Sequence, residues 1–285
     1  MKTVVTILSI VLLLTNINVR AQVNTKTGDD DAGHHIEFLS LFLDTLYETN
    51  RGKGLSISDF EAFVKKLQNK RNQIKNDQRF FNYLFYKTHR KYLKQYQMHS
   101  SVEDILRRGT YDCVSGTALY ALIMHHLGID YEIKEFDFHV LVIARSNNQQ
   151  FLIESTDPAG GLTKDPQEIT DRIKQYLNTE NKTDNTLSVS SGNRTRQYSL
   201  TTNNSINLTK LAGLLHFNNA IYYYNQKKPF KAVSSLQKSM ALYDSKRIRI
   251  FQQLAARSFL GDPNLTQIQK EQLIDKLGLE LVALK

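Results

Sequence analysis

The stretch "RRGTYDCVSGTALYALIMHHLGI", Arg107–Ile129, contains the only cysteine of the 285-residue chain. Asp112 precedes Cys113, and the apolar run after it reads as a helix reaching His126 or Leu127, with Gly128 as its stop. Gly116, Thr117, Ala118 and Ala121 crowd the first half of that helix. Small residues let other backbone come close, so the helix is expected at the centre of the fold. Cys113 falls in the first turn. There the helix dipole and the unpaired N–H groups favour a thiolate, and they can also hold a developing oxyanion. Position alone therefore predicts a thiol pKa below the free value. The plainer alternative is a small buried hydrophobe.

Upstream the period is helical. Phe38, Leu39, Leu41, Phe42 and Leu46 share one face of a segment that begins near Ile36. A second helix is expected from Ser58 to about Lys75, and a third over "RFFNYLFYKTHRKYLKQY", Arg79–Tyr96, whose aromatic stripe reads as core. "SSVEDILRRG" reads as a short helix with a capping box between Ser100 and Glu103 and a stop at Gly109. Downstream the period shortens to two or less. "YEIKEF", "FHVLVIA" and "QFLIEST" are strand candidates, and "RSNNQQ" between the last two is a hairpin loop. Helices followed by an antiparallel sheet make an α+β pattern.

Residues 178 to 204 are rich in Asn, Thr, Ser and charge and read as a polar linker, within which "RQYSLTT" could add a strand. From residue 205 the chain is helical again. Ala220, Ala232 and Ser239 stand where two antiparallel helices of a tetratricopeptide-like unit cross, and Ser245 to Leu284 has the length for a second helix pair. A lone unit of this kind must pack on something.

At the N-terminus, Met1 and Lys2 precede an apolar run to Leu14 and a small-residue site ending at Ala21. This predicts a signal peptide over residues 1–21 and an exported protein, periplasmic or secreted, after cleavage near Ala21. The run is too short to span a bilayer comfortably, and no later segment reads as a membrane span. The formal charge of +9 falls to +7 once Lys2 and Arg20 are removed. The basic residues are scattered, and the densest cluster, Lys65–Lys75, reads as a solvated helix face, so no nucleic-acid partner is expected. No Cys-x-x-Cys pair or phosphate loop is present, and His125 and His126 are adjacent rather than four apart. No metal or cofactor is expected.

A nucleophilic cysteine needs an imidazole, and the imidazole needs an acceptor to orient it. Among eight histidines, His139 alone opens a strand in the region that packs on the cysteine helix; His125 and His126 lie about three turns from Cys113. If the hairpin loop centres near Asn147, paired positions sum to about 294, so His139 lies opposite residues near 155. Glu154 and Asp157 are both within reach, and spacing does not choose between them.

Taken together, "GTYDCVSGTALYALIMHHLGI", "FHVLVIA" and "FLIESTDPAGG" resemble the transglutaminase-like superfamily, over roughly Arg79 to Ile169. The resemblance implies a papain-like α+β fold in which Cys113 is the nucleophile, His139 the base and Glu154 or Asp157 the orienting acid. It divides the chain into a signal peptide (1–21), a transglutaminase-like domain (22–204, core about 79–169) and a helical, tetratricopeptide-like tail (205–285). The activity it implies is acyl transfer from amide bonds of a protein or peptide substrate, as a protease, amidase or transamidase. The alternative is an envelope protein-binding module that recruits a protein partner through its tail.

Overall fold

The computed structural model describes residues 39–42, 57–182, 189–191, 194–196 and 203–279. The expected signal peptide, the polar stretch after it and residues 197–202 of "RQYSLTT" lie outside the described residues, and the helix expected from Ile36 is described only at 39–42, where Leu39 and Phe42 are buried.

The elements follow in the order α1 (Ile57–Gln73), α2 (Asp77–Tyr92), β1 (Gln95–Tyr96), α3 (Val102–Arg108), β2 (Thr110–Tyr111), α4 (Cys113–His126), β3 (Asp130–Phe136), β4 (Val140–Ser146), β5 (Gln149–Ile153), β6 (Leu162–Thr163), α5 (Pro166–Lys182), the ribbon β7 (Val189–Ser191) and β8 (Arg194–Arg196), β9 (Asn203–Ile206), α6 (Leu208–Asn225), α7 (Pro229–Leu242), α8 (Lys246–Gly261) and α9 (Gln267–Lys276). The fold is α+β, with an antiparallel sheet ordered β6-β5-β4-β3-β9. Among the described residues no helix is long and apolar enough to cross a membrane.

Helix α4 is the axis of the molecule. Every residue from Val114 to Met124 is buried, because the helix is apolar around its whole circumference and is covered on all sides by β3, β4, α3 and α6. Its small residues are where backbone comes close. A Cβ on Gly116 would lie 2.7 Å from Ser155 Oγ and 2.8 Å from Ser155 Cβ, and Thr117 Oγ1 donates to the Val140 carbonyl at 3.1 Å.

Both faces of the sheet are covered, which explains why its strands read as nearly continuous apolar runs. Val140, Val142 and Ala144 face α4 and the main core; Leu141 and Ile143 face the other way, with Phe136 and Leu152, against Ile169, Ile173 and Tyr176 of α5. The β4–β5 loop is a two-residue turn. Asn147 and Asn148 both have positive φ (48° and 59°), and Ser146 pairs with Gln149. Pairs sum to 295, one more than the expected centre gives.

Several expectations are corrected. The capping box of α3 is Ser101–Asp104, one residue later than the expected Ser100–Glu103, because Ser100 Oγ is engaged with the Gln97 carbonyl at 2.7 Å. The aromatic helix α2 stops at Tyr92, and Gln95–Tyr96 pairs as a short parallel strand with Thr110–Tyr111. The polar linker is not wholly irregular: α5 extends to Lys182, and Asn203–Ile206 forms the edge strand against β3.

In the tail, α6 and α7 form an antiparallel hairpin. Ser239 Oγ donates to the Gly213 carbonyl at 2.8 Å, and a Cβ on Gly213 would lie 2.6 Å from Tyr243 Cβ. Ala220 and Ala232 are buried beside this crossing. The hairpin packs on α4 through α6, and α8 reaches the sheet, where Arg247 pairs with the fully buried Glu135 of β3 and Tyr243 donates to the same carboxylate at 2.5 Å. Burial first, then this bond and the Glu135 charge, push the Tyr243 hydroxyl up to about 12.

Two outcomes follow from this packing. Gly213→Ala forces the α6–α7 crossing apart and should cost about 1–3 kcal/mol, the usual range for overpacking, read as a lower urea midpoint at unchanged m-value. The second concerns His89, buried among Phe85, Tyr111 and Tyr120 with neither ring nitrogen hydrogen-bonded among the described residues. Burial drops its pKa from 6.5 to about 4, with the Asp157 carboxylate pulling weakly the other way. The unfolded chain then binds the proton at higher pH than the folded one. Stability is therefore full above about pH 6.5 and should fall by about 3 kcal/mol as pH drops to about 4. His89→Leu should flatten that part of the stability–pH curve; an unchanged slope would place the acid sensitivity elsewhere.

Candidate functional site

Asp112 caps α4 and places Cys113 at its first helical position. The Asp112 carboxylate accepts from Ser115 N at 2.8 Å, and Ser115 Oγ accepts from Asp112 N at 2.9 Å, so the cap is closed reciprocally. His139 is the last residue of the turn between β3 and β4. Phe136 N donates to the His139 carbonyl at 2.8 Å, and Arg247 Nη1 donates to the Asp137 carbonyl at 2.9 Å, so the turn is held from within and from the tail. His139 thus stands one residue before the strand it was expected to open.

The structure separates the two acids. His139 Nε2 lies 2.6 Å from Glu154 Oε2. The same carboxylate accepts from Tyr176 OH at 2.7 Å and from Thr156 Oγ1 at 2.6 Å and Thr156 N at 3.2 Å. Asp157 caps its own loop instead: its Oδ1 accepts from Ala159 N at 3.2 Å and Gly160 N at 2.9 Å, and Arg172 lies 3.8 Å from its Oδ2. Burial alone would raise Glu154, but the bond from His139, its charge, and the bonds from Thr156 and Tyr176 hold the carboxyl below its ordinary value. Glu154 is therefore an anion, and a carboxylate accepts from an N–H. With Nε2–H facing Glu154, Nδ1 is the nitrogen left to take a proton.

Tyr176 has no counterpart in the sequence reading. Its ring stacks on His139 at 4.6 Å and 14°, and Phe136 stacks behind it at 5.2 Å. It comes from α5, which local signals do announce: Asp165 accepts from Glu168 N at 2.9 Å as the N-cap, and Pro166 takes the first helical position. Ile169, Ile173, Tyr176 and Leu177 then repeat at helical spacing on one face.

Cys113 and His139 line the same cavity of about 450 Å³, together with Tyr96, Asp112 and Arg247. As a residue Cys113 is only partly covered. Its thiol is nonetheless pushed up to about 12, by burial first and then by the Asp112 and Glu154 carboxylates, against backbone hydrogen bonds that lower it. This overturns the expectation of a depressed thiol. The helix start does act in the expected direction, but desolvation and two carboxylates outweigh it. The phenol of Tyr96 is likewise raised, by burial and then by its proximity to Cys113. Among the described residues no cluster of three or more His, Cys, Asp or Glu side chains is placed to hold a metal ion.

No family model, curated protein or solved structure matches the chain.

Chemically, the arrangement offers a protonated thiol at a helix N-terminus, an imidazole oriented by a buried carboxylate, and the backbone N–H groups of Cys113 and Val114 directed at the sulfur. With the thiol held protonated, its alkylation by iodoacetamide should rise about tenfold per unit between about pH 7 and 9, without a plateau, and should be slower than for the chain unfolded in guanidinium. A rate that levels off below about pH 7 would instead mark a resting thiolate and overturn this electrostatic picture.

Proposed function

We propose that the protein is an exported cysteine acyl-transfer enzyme acting on amide bonds, with Cys113 as nucleophile, His139 as base and Glu154 as the acid that orients it. The observation that carries this reading is the 2.6 Å contact between His139 Nε2 and Glu154, in a cavity that His139 shares with Cys113. The order of parts supports a transglutaminase-like arrangement: a cysteine opening a buried central helix, a histidine at the end of a neighbouring strand and an acid after the next.

The chemistry runs as follows. His139 Nδ1 takes the Cys113 proton as sulfur bonds to the amide carbon. Backbone N–H groups at the α4 start stabilise the oxyanion. The imidazolium returns its proton to the leaving amine as the C–N bond breaks, leaving a thioester on Cys113. Water or a second amine, deprotonated by the same imidazole, then bonds to the thioester carbon; the C–S bond breaks and the imidazolium returns the proton to the Cys113 sulfur, giving hydrolysis or transamidation. Because the thiol rests protonated, proton removal is coupled to attack rather than preceding it. Glu154 neutralises the imidazolium and fixes its tautomer.

A binding module with a silent site is the second reading, favoured by one observation, the raised thiol. Its recruiting tail is less favoured, since α6 and α8 are spent on α4 and β3.

The test is covalent labelling of the mature chain by an amide-type electrophilic probe. Cys113→Ala should abolish it. Glu154→Gln should slow acylation by about 10²–10⁴-fold and, by leaving donors unmatched, cost about 1–3 kcal/mol of stability. Asp157→Asn keeps the loop acceptor and should acylate at the wild-type rate. Equal rates for all three variants and wild type would sink the triad.

A further inference from the structure

The cavity that holds Cys113 and His139 is walled by the tail. Leu214, Phe217 and Ile221 of α6 line it at helical spacing from a single face, beside Asn218, and Arg247 of α8 closes another side. The opposite wall comes from the sheet and the segment before α3. Its Phe138 and Met98 are 72% and 66% exposed, an unusual state for large apolar side chains, and they sit next to the reactive pair. Uncovered apolar surface beside a concave, reactive site marks a place for a ligand's apolar part.

Charge narrows the choice. Of the lining residues only Arg247 carries a permanent positive charge, and that charge is spent inward: its guanidinium pairs with Glu135, donates to the Asp137 carbonyl and lies 5.8 Å from the Phe217 ring centroid. Asp112 and Asp137 also line the cavity. A carboxylate-bearing substrate would meet two acidic side chains and a cation already paired with Glu135. An aliphatic or aromatic side chain meets Val114, Leu214, Phe217 and Ile221 and loses no hydrogen bond.

We propose that this wall is the specificity subsite for an apolar side chain, of leucine to phenylalanine size, on the acyl part of the amide that Cys113 attacks. The acyl part is the portion that stays bonded to sulfur after the amine leaves, so it is the portion that a pocket continuous with the thiol retains. The inference rests on the acyl-transfer reading of Cys113. It gives the tail a direct part in choosing substrate, rather than a separate recruiting role.

The experiment is a panel of acyl-side vinyl sulfones on the full mature chain, bearing Gly, Leu, Phe, Glu or Lys side chains, with labelling of Cys113 followed by intact mass. The Gly probe reports the thiol itself. Leu and Phe probes should label at least about tenfold faster than Gly, the usual return for filling an apolar pocket, and Glu more slowly than Gly. Ile221→Asp sits on a partly exposed position, so the melting temperature should hold while the Leu-to-Gly ratio falls at least about fivefold. Equal rates across the panel, or a ratio untouched by Ile221→Asp, would overturn the subsite and leave the acyl-transfer reading standing. Failure of every probe, Gly included, to label Cys113 would overturn both.

Discussion

The close approach of α4 to the sheet is the constraint on which the rest depends. Gly116 leaves Ser155 no room to be met by a Cβ, and Thr117 ties the helix to the Val140 carbonyl, one residue beyond His139. These contacts fix the helix against the two strand ends that carry His139 and Glu154. Since Asp112 and Ser115 cap each other at the same helix start, Cys113 has little freedom to move relative to that pair. A bulkier residue at Gly116 would therefore displace the Glu154–Thr156 loop as well as the core.

Two buried carboxyl groups do the electrostatic work, and each is surrounded by donors. Glu154 has His139, Tyr176 and Thr156; Glu135 has Arg247 and Tyr243. Removing a carboxylate from water costs several kcal/mol unless such bonds replace the lost hydration. The first set orients an imidazole and the second clamps the tail to β3. The Cys113 thiol, by contrast, is flanked by carboxylates and has only backbone donors, so the same low-dielectric surroundings hold it neutral. The site thus stores its negative charge on Glu154 rather than on sulfur. The proposed mechanism, in which His139 takes the proton only as sulfur attacks, suits that distribution.

Much of this was legible locally. The cysteine helix, its capping aspartate and the three central strands carry their own periodicity, and the Asn147–Asn148 pair announces its turn. The hairpin register came within one residue. What spacing left open was the choice of acid, because Glu154 and Asp157 are both near the strand end; their different partners are set by loop backbone, with Asp157 turned onto Ala159 and Gly160. Tyr176 was invisible for another reason. Its role depends on α5 crossing the far face of the sheet, although Asp165-Pro166 marks where that helix begins. The thiol was misread because a helix terminus is a local feature, whereas desolvation is a property of everything packed around it. Strand β9 was hidden by composition: an edge strand of Asn, Asn, Ser and Ile has its polar residues exposed and only Ile206 buried.

The tail follows from α4 as much as the site does. A helix apolar on every side needs cover on every side, and the sheet and α3 leave a flank that α6 fills. Once α6 lies there, Leu214, Phe217 and Ile221 lie along the cavity as a consequence of burying the central helix. Arg247 then links α8 to the turn that presents His139. The residues that hold the tail against the core therefore also shape the cavity and steady the turn that carries His139. Changes at the buried Leu214 and Phe217 that repack the core also reshape the cavity wall, whereas the partly exposed Ile221 reaches that wall with less of the core at stake.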